Sequence, residues 1–415
     1  MAWQPPPRGP WVDKLAALGR GLGDDGRSLI SLRADDLLGA ARTATGLDDF
    51  GDDWFREPLD RLCGALDDEA RLHLPGRLRA RGELQLILQN RLRLVDLWAR
   101  EPSITTGSVR APIIVTGLGR SGTTLLHELL ACDPDNRAPL LWEMLHSVPP
   151  PTVAGSLDAP GALLADDEIT VMDEMVPAFT AMHENRGFLP TECIFLFAHQ
   201  CSSDMFTGLY NVASYTIWRS GVDQAPIYDW HRRMLQTLQW GAPTERLVLK
   251  APSHLAALPL VFATYPDARV VITHRDPLRV VGSLADLMAT LHWMHSDHVD
   301  YEVLVEFLTM GVELQMDAVT AERDSGSLPA DQIADVRYGD LVRDPIAVVQ
   351  GLYDSWGLGV SGAFARRLED YVAARHAHRE PGGHDYRFED TGLDLAAHRA
   401  LVAGYLDRFG IEREV

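Results

Sequence analysis

A glycine-rich stretch in the first third of the chain combines a flexible backbone with one guanidinium group and three hydroxyl groups. It reads Gly117-Leu118-Gly119-Arg120-Ser121-Gly122-Thr123-Thr124. Glycines let a backbone approach a phosphate closely. An arginine can clamp an oxyanion, and hydroxyl groups can donate hydrogen bonds to it. The stretch is therefore predicted to hold a phosphate group.

The neighbouring residues predict the elements that position this loop. The preceding run, residues 112–116, is apolar and β-branched, as is typical of a buried parallel strand. The following run, residues 125–130, predicts a helix. A strand, a glycine-rich turn and a helix bring backbone N–H groups together at a helix N-terminus, where an anion is stabilised.

Two common nucleotide-binding motifs fit the loop incompletely. The P-loop pattern G-x-x-x-x-G-K-[ST] matches at both ends, but Thr123 stands where its lysine belongs. The dinucleotide pattern G-x-G-x-x-G also matches, but it needs a second strand that ends in an acidic residue about 20 positions on. Glu143 lies near that distance, yet the segment before it contains Pro139 and is a poor strand.

The loop resembles the 5′-phosphosulfate loop of sulfotransferases that use 3′-phosphoadenylyl sulfate (PAPS). The tyrosylprotein and glycan branches of that family, which this chain resembles most together with bacterial members, have G-x-x-R-S-G-T-T at this place. PAPS has no γ-phosphate, so neither a P-loop lysine nor a metal ion is expected. The resemblance implies a catalytic role for Arg120, and donor binding by Gly119, Arg120, Ser121, Gly122, Thr123 and Thr124.

A second site distinguishes these possibilities. Another β-branched run, residues 269–273, leads to Arg275, and Ser283 follows eight residues later in a predicted helix. In the resembled family an arginine and a serine at this spacing bind the 3′-phosphate of the donor. Enzymes that hydrolyse ATP or GTP have no 3′-phosphate to bind, so the pair favours the sulfotransferase interpretation.

Three residues are candidates for the chemical step. Lys250 ends another short apolar run, and the resemblance implies that it stabilises the transferring group and the leaving oxygen. An acceptor hydroxyl needs a general base. Glu143, past the first helix, is similarly placed to the glutamate base of the tyrosylprotein and glycan branches. His254 is the alternative base, because a histidine has that role in the cytosolic branch.

Composition and element pattern predict the architecture. Residues 1–108 show helical spacing only, and residues 109–415 predict an α/β domain with a helical insertion at about 152–245. The expected fold is a P-loop-like three-layer α/β/α structure around a central parallel sheet. The net charge of −21 argues against nucleic-acid partners. With no apolar run of about 18 residues and no signal peptide, the sequence predicts a cytoplasmic protein without a transmembrane segment.

The insertion is rich in methionine and aromatic residues, which suggests a pocket for a small or lipophilic acceptor hydroxyl, such as that of a glycolipid. Its polar residues include His183, Glu184, Asn185, Arg186 and Glu192. Related sulfotransferases return a basic and aromatic C-terminal loop over the adenosine, so the resemblance makes Tyr386 a candidate contact to it, together with Arg379 and His384. Cysteine and histidine spacing shows no metal framework. A homodimer is compatible with the helical surface, and a non-catalytic nucleotide-binding protein is the alternative function.

Overall fold

The computed structural model describes residues 3–153, 156, 159–377 and 388–415. Its centre is a five-stranded sheet in the order β2-β3-β1-β4-β5, in which all paired strands are parallel. The strands are β1 Ile113–Gly117, β2 Asn136–Arg137, β3 Arg246–Lys250, β4 Arg269–His274 and β5 Ile333–Arg337. The predicted central parallel sheet is confirmed, and β1, which leads into the glycine-rich loop, is its middle strand.

Both faces of the sheet are covered, and its three inner strands, β1, β3 and β4, are almost entirely buried. Ile114 and Val270 belong to a hydrophobic cluster on one face. Ile113, Val115 and Val271 belong to a second cluster on the opposite face. Successive side chains of a strand point to opposite sides. The predicted three-layer α/β/α arrangement is therefore confirmed.

Helices surround the sheet and fill the N-terminal region and the insertion. The N-terminal region carries α1 Pro10–Gly21, α2 Ala34–Thr45, α3 Arg56–Asp68 and α4 Leu74–Arg100. Between β1 and β3 lie α5 Thr123–Ala131, α6 Leu141–Leu145, α7 Pro160–Met175, α8 Phe179–Met182, α9 Ile194–Phe197, α10 Asp204–Leu209, α11 Ala213–Ser220 and α12 Ala225–Gly241. After β3 come α13 Leu258–Thr264, α14 Pro277–His295, α15 Tyr301–Asp324, α16 Tyr338–Arg343, α17 Pro345–Ser355, α18 Gly362–Ala377 and α19 Leu395–Phe409.

The N-terminal helices and the insertion share one hydrophobic cluster. Leu37, Leu59 and Leu88 from the first part of the chain pack in the same cluster as Met205 and Phe206. The regular elements that the structure describes within residues 152–245 are helices, joined by irregular segments. Among the described residues, every helix is too short or too polar to cross a bilayer.

Arg91 on α4 connects these two regions through a buried guanidinium group. The side chain is fully buried and donates to the carbonyl oxygens of Phe50 at 2.7 Å and His199 at 3.0 Å. It also pairs with the carboxylate of Asp52 at 2.9 Å, and its guanidinium carbon lies 4.0 Å from the ring centroid of Trp230. One cation thus satisfies acceptors from separate segments that would otherwise be buried without a partner.

We expect the substitution Arg91→Met to destabilise the fold strongly. It keeps most of the volume but leaves several buried acceptors unpaired, so the free energy of unfolding should fall by about 3–5 kcal/mol. Arg100→Met on the same helix removes only an exposed pair with Asp96 and should cost less than about 1 kcal/mol. Urea unfolding followed by circular dichroism measures both. Equal losses in the two variants would contradict the connecting role of Arg91.

Candidate functional site

The register of three parallel strands brings the predicted site residues to one edge of the sheet. Gly117 at the end of β1 is paired with Thr273 on β4, two residues before Arg275. On the other side of β1, Val115 is paired with Lys250, the last residue of β3. The carboxyl ends of parallel strands form the binding edge of an α/β sheet. The two regions predicted to bind anions are therefore neighbours, on adjacent strands.

The backbone of the glycine-rich loop requires glycine at both ends. Gly117 has a φ of +149°, and a Cβ atom there would lie 2.4 Å from the carbonyl oxygen of Thr273. Gly122 has a φ of +96°, and a Cβ atom there would lie 2.9 Å from the ring of Tyr338. No side chain caps the N-terminus of α5, which begins at Thr123. Its first N–H groups, which have no partner within the helix, are thus suited to hold an anion.

Arg120 and Arg275 meet directly at this loop. The Nε of Arg120 donates to the hydroxyl of Ser283 at 3.0 Å, and its Nη1 donates to the carbonyl oxygen of Met182 at 3.1 Å. Arg275 donates from Nη1 to the carbonyl oxygen of Arg120 at 3.0 Å. The loop arginine and the later arginine–serine pair therefore form one cationic cluster.

Arg275 also has a counter-ion within the chain. Its guanidinium pairs with the carboxylate of Glu414 at 2.7 Å and lies 3.9 Å from the ring centroid of Tyr338. The backbone N–H of Glu414 donates to Asp276 at 2.7 Å, which holds that segment in place. An anion that binds Arg275 must therefore displace or share the Glu414 carboxylate.

Lys250 supplies a cation to the loop from the neighbouring strand. Its Nζ lies 3.3 Å from the hydroxyl of Thr124 and 2.7 Å from the Oε1 of Glu192, and the side chain is almost completely buried. The loop itself has Thr123 at the position where P-loop enzymes have their lysine. The fold therefore places a lysine beside the loop, but this lysine comes from the end of the neighbouring strand β3.

The predicted loop residues differ in whether they line the cleft that lies beside the loop. Gly119, Gly122, Thr123 and Thr124 line it. The hydroxyl of Ser121 is fully buried instead, where it donates to the carbonyl oxygen of Leu118 and contacts the hydroxyl of Thr273 at 2.7 Å. The Ser121 side chain thus ties the loop to β4. Tyr386, Arg379 and His384 lie outside the described residues.

The structure places both predicted general bases away from the cleft. Glu143 is fully buried, pairs with Arg137 at 2.7 Å and accepts the backbone N–H of Leu140 at 2.9 Å. Through these contacts its carboxylate caps the N-terminus of α6. His254 is also fully buried, with Nδ1 2.8 Å from the hydroxyl of Tyr228. Neither side chain belongs to the lining of the cleft.

The cleft beside the loop is large and mostly apolar. Its volume is about 1610 Å³, and one end is formed by the loop, Arg120 and Arg275. The rest of the lining comes from α4, α5, the insertion, the turn after β3, α14, α15, α16 and α18. Representative apolar side chains are Ile87, Met172, Phe195, Met205, Leu287 and Met288. Of the methionine and aromatic residues in the insertion, some line the cleft and others, such as Trp230, belong to the core.

Four of the polar residues named from the sequence of the insertion line the same cleft: His183, Glu184, Asn185 and Glu192. Burial lowers the pKa of His183 to about 4; Glu192 opposes this shift, whereas Lys250 and Arg120 add to it. The imidazole is therefore neutral at neutral pH. The sequence marked His183 only as a polar residue of the insertion, because no local motif surrounds it.

Comparisons with known proteins agree with the site. A model of the sulfotransferase family matches residues 112–362. Omega-hydroxy-beta-dihydromenaquinone-9 sulfotransferase Stf3 of Mycobacterium bovis is 26% identical over 324 residues, which cover 73% of this chain and 76% of that protein. The region matched by the family model contains the loop, Lys250 and the arginine–serine pair.

Two crystal structures of bacterial sulfotransferases are similar to the whole fold. STF1 from Mycobacterium tuberculosis H37Rv superposes with a TM-score of 0.78 and 31% identity, covering 89% of this chain and 98% of that one. STF9 from Mycobacterium avium superposes with a TM-score of 0.82 and 26% identity, covering 92% and 98%. These relatives do not favour the alternative function, that of a non-catalytic nucleotide-binding protein. The chain belongs to the sulfotransferase family and is an enzyme that transfers a sulfuryl group from an activated sulfate donor.

Proposed function

We propose that this sulfotransferase transfers the sulfuryl group of PAPS, in line, to a hydroxyl group of a lipophilic acceptor and releases adenosine 3′,5′-bisphosphate. One observation carries the proposal. The cleft joins a cationic, glycine-rich end, with Arg120 and Arg275 in contact, to a long apolar wall. A charged nucleotide fits the first part and an apolar acceptor fits the second. The cytoplasmic location, the homodimer and transfer without a metal stay predictions.

The donor end suits a nucleotide with phosphate groups at both the 3′ and 5′ positions. The N–H groups at the start of α5, the Thr123 and Thr124 hydroxyls and Arg120 would hold the 5′-phosphosulfate. Arg275 and Ser283 would hold the 3′-phosphate, since both touch Arg120 at the edge of the loop. The donor supplies the activated sulfuryl group to be transferred.

Lys250 is proposed to stabilise the leaving phosphate oxygen, on which negative charge develops during transfer. Its Nζ stands beside Thr124 in a nearly dry environment, where a charge interacts more strongly than in water. The carboxylate of Glu192 orients the ammonium group at 2.7 Å and limits the cost of its burial. Glu192 is thus a positioning residue for Lys250.

His183 is proposed as the general base that takes the proton of the acceptor hydroxyl. It lines the cleft, and its pKa of about 4 keeps an imidazole lone pair available at neutral pH. Part of that lowering comes from Lys250 and Arg120. A bound anionic donor would offset both cations, which raises the pKa of His183 and makes it a stronger base when donor is present.

The acceptor is proposed to be a lipophilic alcohol or phenol, or a lipid with a terminal hydroxyl group. The apolar wall of the cleft would bury such a chain, and its volume of about 1610 Å³ exceeds the needs of the nucleotide alone. The name of the relative Stf3 describes a hydroxylated menaquinone derivative as its substrate. That name supports the same chemical class for this enzyme.

Arg275→Ala should weaken binding of adenosine 3′,5′-bisphosphate by about 100-fold, because a charge-assisted contact to its 3′-phosphate is lost. Binding of adenosine 5′-phosphosulfate, which lacks the 3′-phosphate, should change by less than about fivefold. Isothermal titration calorimetry measures both. Arg337→Ala on β5, whose side chain is exposed and pairs with Asp340, is the matched control and should change neither affinity. Equal losses for both nucleotides in Arg275→Ala would contradict the 3′-phosphate role.

His183→Gln should lower kcat by about 10²–10⁴-fold while leaving donor affinity within about threefold, as expected for loss of a general base. His146→Gln, outside the cleft, is the control. In the unsubstituted enzyme, kcat/KM for the donor should fall as the pH drops through about 4, because His183 becomes protonated. With donor saturating, the loss of activity should begin at a higher pH. Neither pH dependence should be seen in His183→Gln.

Glu143→Gln tests the alternative that Glu143, and not His183, is the general base. If this variant folds and binds donor normally but loses transfer, and His183→Gln keeps its kcat, the base is Glu143 and not His183. Circular dichroism and nucleotide titration separate such a result from unfolding. This check is necessary because Glu143→Gln changes a buried ion pair with Arg137.

For primary alcohols of increasing length, kcat/KM should rise about threefold to fourfold per methylene group, because each buried methylene contributes about 0.8 kcal/mol. Met288→Glu, which places a charge on the apolar wall, should flatten this dependence. Val303→Glu, at an exposed position away from the cleft, is the matched control. A rate independent of chain length would exclude a lipophilic acceptor while leaving the donor assignment intact.

A further inference from the structure

A second cluster of chemically active side chains lies in the core behind the cleft. Cys193, His231 and His254 are fully buried, and one ligand atom from each lies within 4.8 Å of those of the other two. Cys193 precedes α9, His231 lies on α12 and His254 follows β3. Residues far apart in sequence are therefore brought together by the fold, which explains why their spacing predicted no metal framework.

Both histidines present an unpartnered nitrogen to the interior. The Nδ1 of His254 lies 2.8 Å from the hydroxyl of Tyr228, and the Nδ1 of His231 lies 2.7 Å from the hydroxyl of Tyr265. Neither Nε2 has a hydrogen-bond partner among the described residues, although both are buried. Buried polar atoms are almost always paired, so two orphaned nitrogens in one cluster require an explanation.

We propose that Cys193, His231 and His254 bind one thiophilic metal ion, Zn²⁺ or Cu⁺, through Sγ and the two Nε2 atoms. A thiolate with two imidazoles is a donor set that both ions accept. A tetrahedral zinc would hold three such ligand atoms roughly 3.3–3.6 Å apart, so the side chains would move closer together as the ion binds. The cysteine loses its thiol proton to solvent as the metal–sulfur bond forms.

The surroundings resemble the support that metal sites usually have. A ligating histidine commonly fixes its other ring nitrogen with a hydrogen bond, and the two tyrosine hydroxyls provide that bond here. Burial lowers the pKa of both histidines, to about 3 for His254, and raises that of Cys193 to about 12. The imidazoles are therefore neutral, as ligands must be, and the cysteine without metal is an uncharged thiol.

The position of the cluster gives the metal a structural role next to the reaction site. Cys193 directly follows Glu192, and its backbone N–H donates to the carbonyl oxygen of Lys250 at 2.8 Å. His254 lies four residues after Lys250. A metal bound there would join the segments that carry the Lys250–Glu192 pair to α12. This inference is independent of the donor, the acceptor and the general base proposed above.

The test is the metal content of the full chain, purified without chelators and measured by plasma mass spectrometry. We expect about one zinc or copper per chain, either as purified or after stripping and reloading with Zn²⁺ or, under reducing conditions, with Cu⁺. Cys193→Ala and His231→Gln should lower the content at least about tenfold. Cys63→Ala, a buried cysteine in the N-terminal cluster, is the matched control and should keep the metal.

A second measurement uses the unsubstituted chain, so that the result does not depend on how well the variants fold. Stripped protein titrated with Co²⁺ should develop the near-ultraviolet absorption band of a cobalt–thiolate bond, saturating at about one equivalent. Zn²⁺ should abolish the band by displacement and raise the melting temperature. Absence of the band, with less than about 0.1 bound zinc or copper per chain after reloading, would overturn the proposal.

Discussion

The parallel pairing of β1 with β3 and β4 is the constraint on which the site depends. Pairing in this register sets Lys250 and the segment leading to Arg275 on either side of the glycine-rich loop. A slip of one residue would turn the side chains of a strand to the other face. The apolar clusters on both faces oppose such a slip, because they fix which side chains point to each layer. Packing far from the cleft thus determines which charges meet in it.

The site keeps its cations in place by giving each a partner. Lys250 is paired with Glu192, Arg120 with Ser283 and a carbonyl oxygen, and Arg275 with Glu414. The chain as a whole carries a net charge of −21, so the positive charge at this edge of the sheet is a local feature. Partnered cations cost less to bury than isolated ones, and they are already oriented when an anion arrives.

The sequence allowed the sheet and the glycine-rich loop to be predicted because their signals are local, whereas the roles of Arg120, Lys250 and Arg275 came from the family resemblance. Strand, turn and helix around residues 112–130 follow one another in the chain, and the parallel sheet follows from repeated apolar runs. The sequence predicted only that Arg120 and Arg275 lie near the same nucleotide. Their direct hydrogen bond uses the carbonyl oxygen of Arg120, whose backbone is left-handed with a φ of +65°.

Other parts of the site could not be predicted because they depend on packing between distant segments. Glu143 matched the position of a base, but it is also the third residue of α6, a position where glutamate often caps a helix. His183 and Glu192 have no motif around them and reach the cleft only through the path of the insertion. The cluster of Cys193, His231 and His254 combines segments separated by tens of residues, so no spacing rule could identify it.

The pair between Arg275 and Glu414 has a consequence for the energetics of ligand exchange. A carboxylate that already occupies the guanidinium makes anion binding a substitution of one negative group for another. Such an exchange changes the local charge less than binding to a bare cation would, so its dependence on ionic strength is weaker. The segment that carries Glu414 directly follows α19 and is held by Asp276, so the counter-ion of Arg275 is anchored close to its guanidinium group.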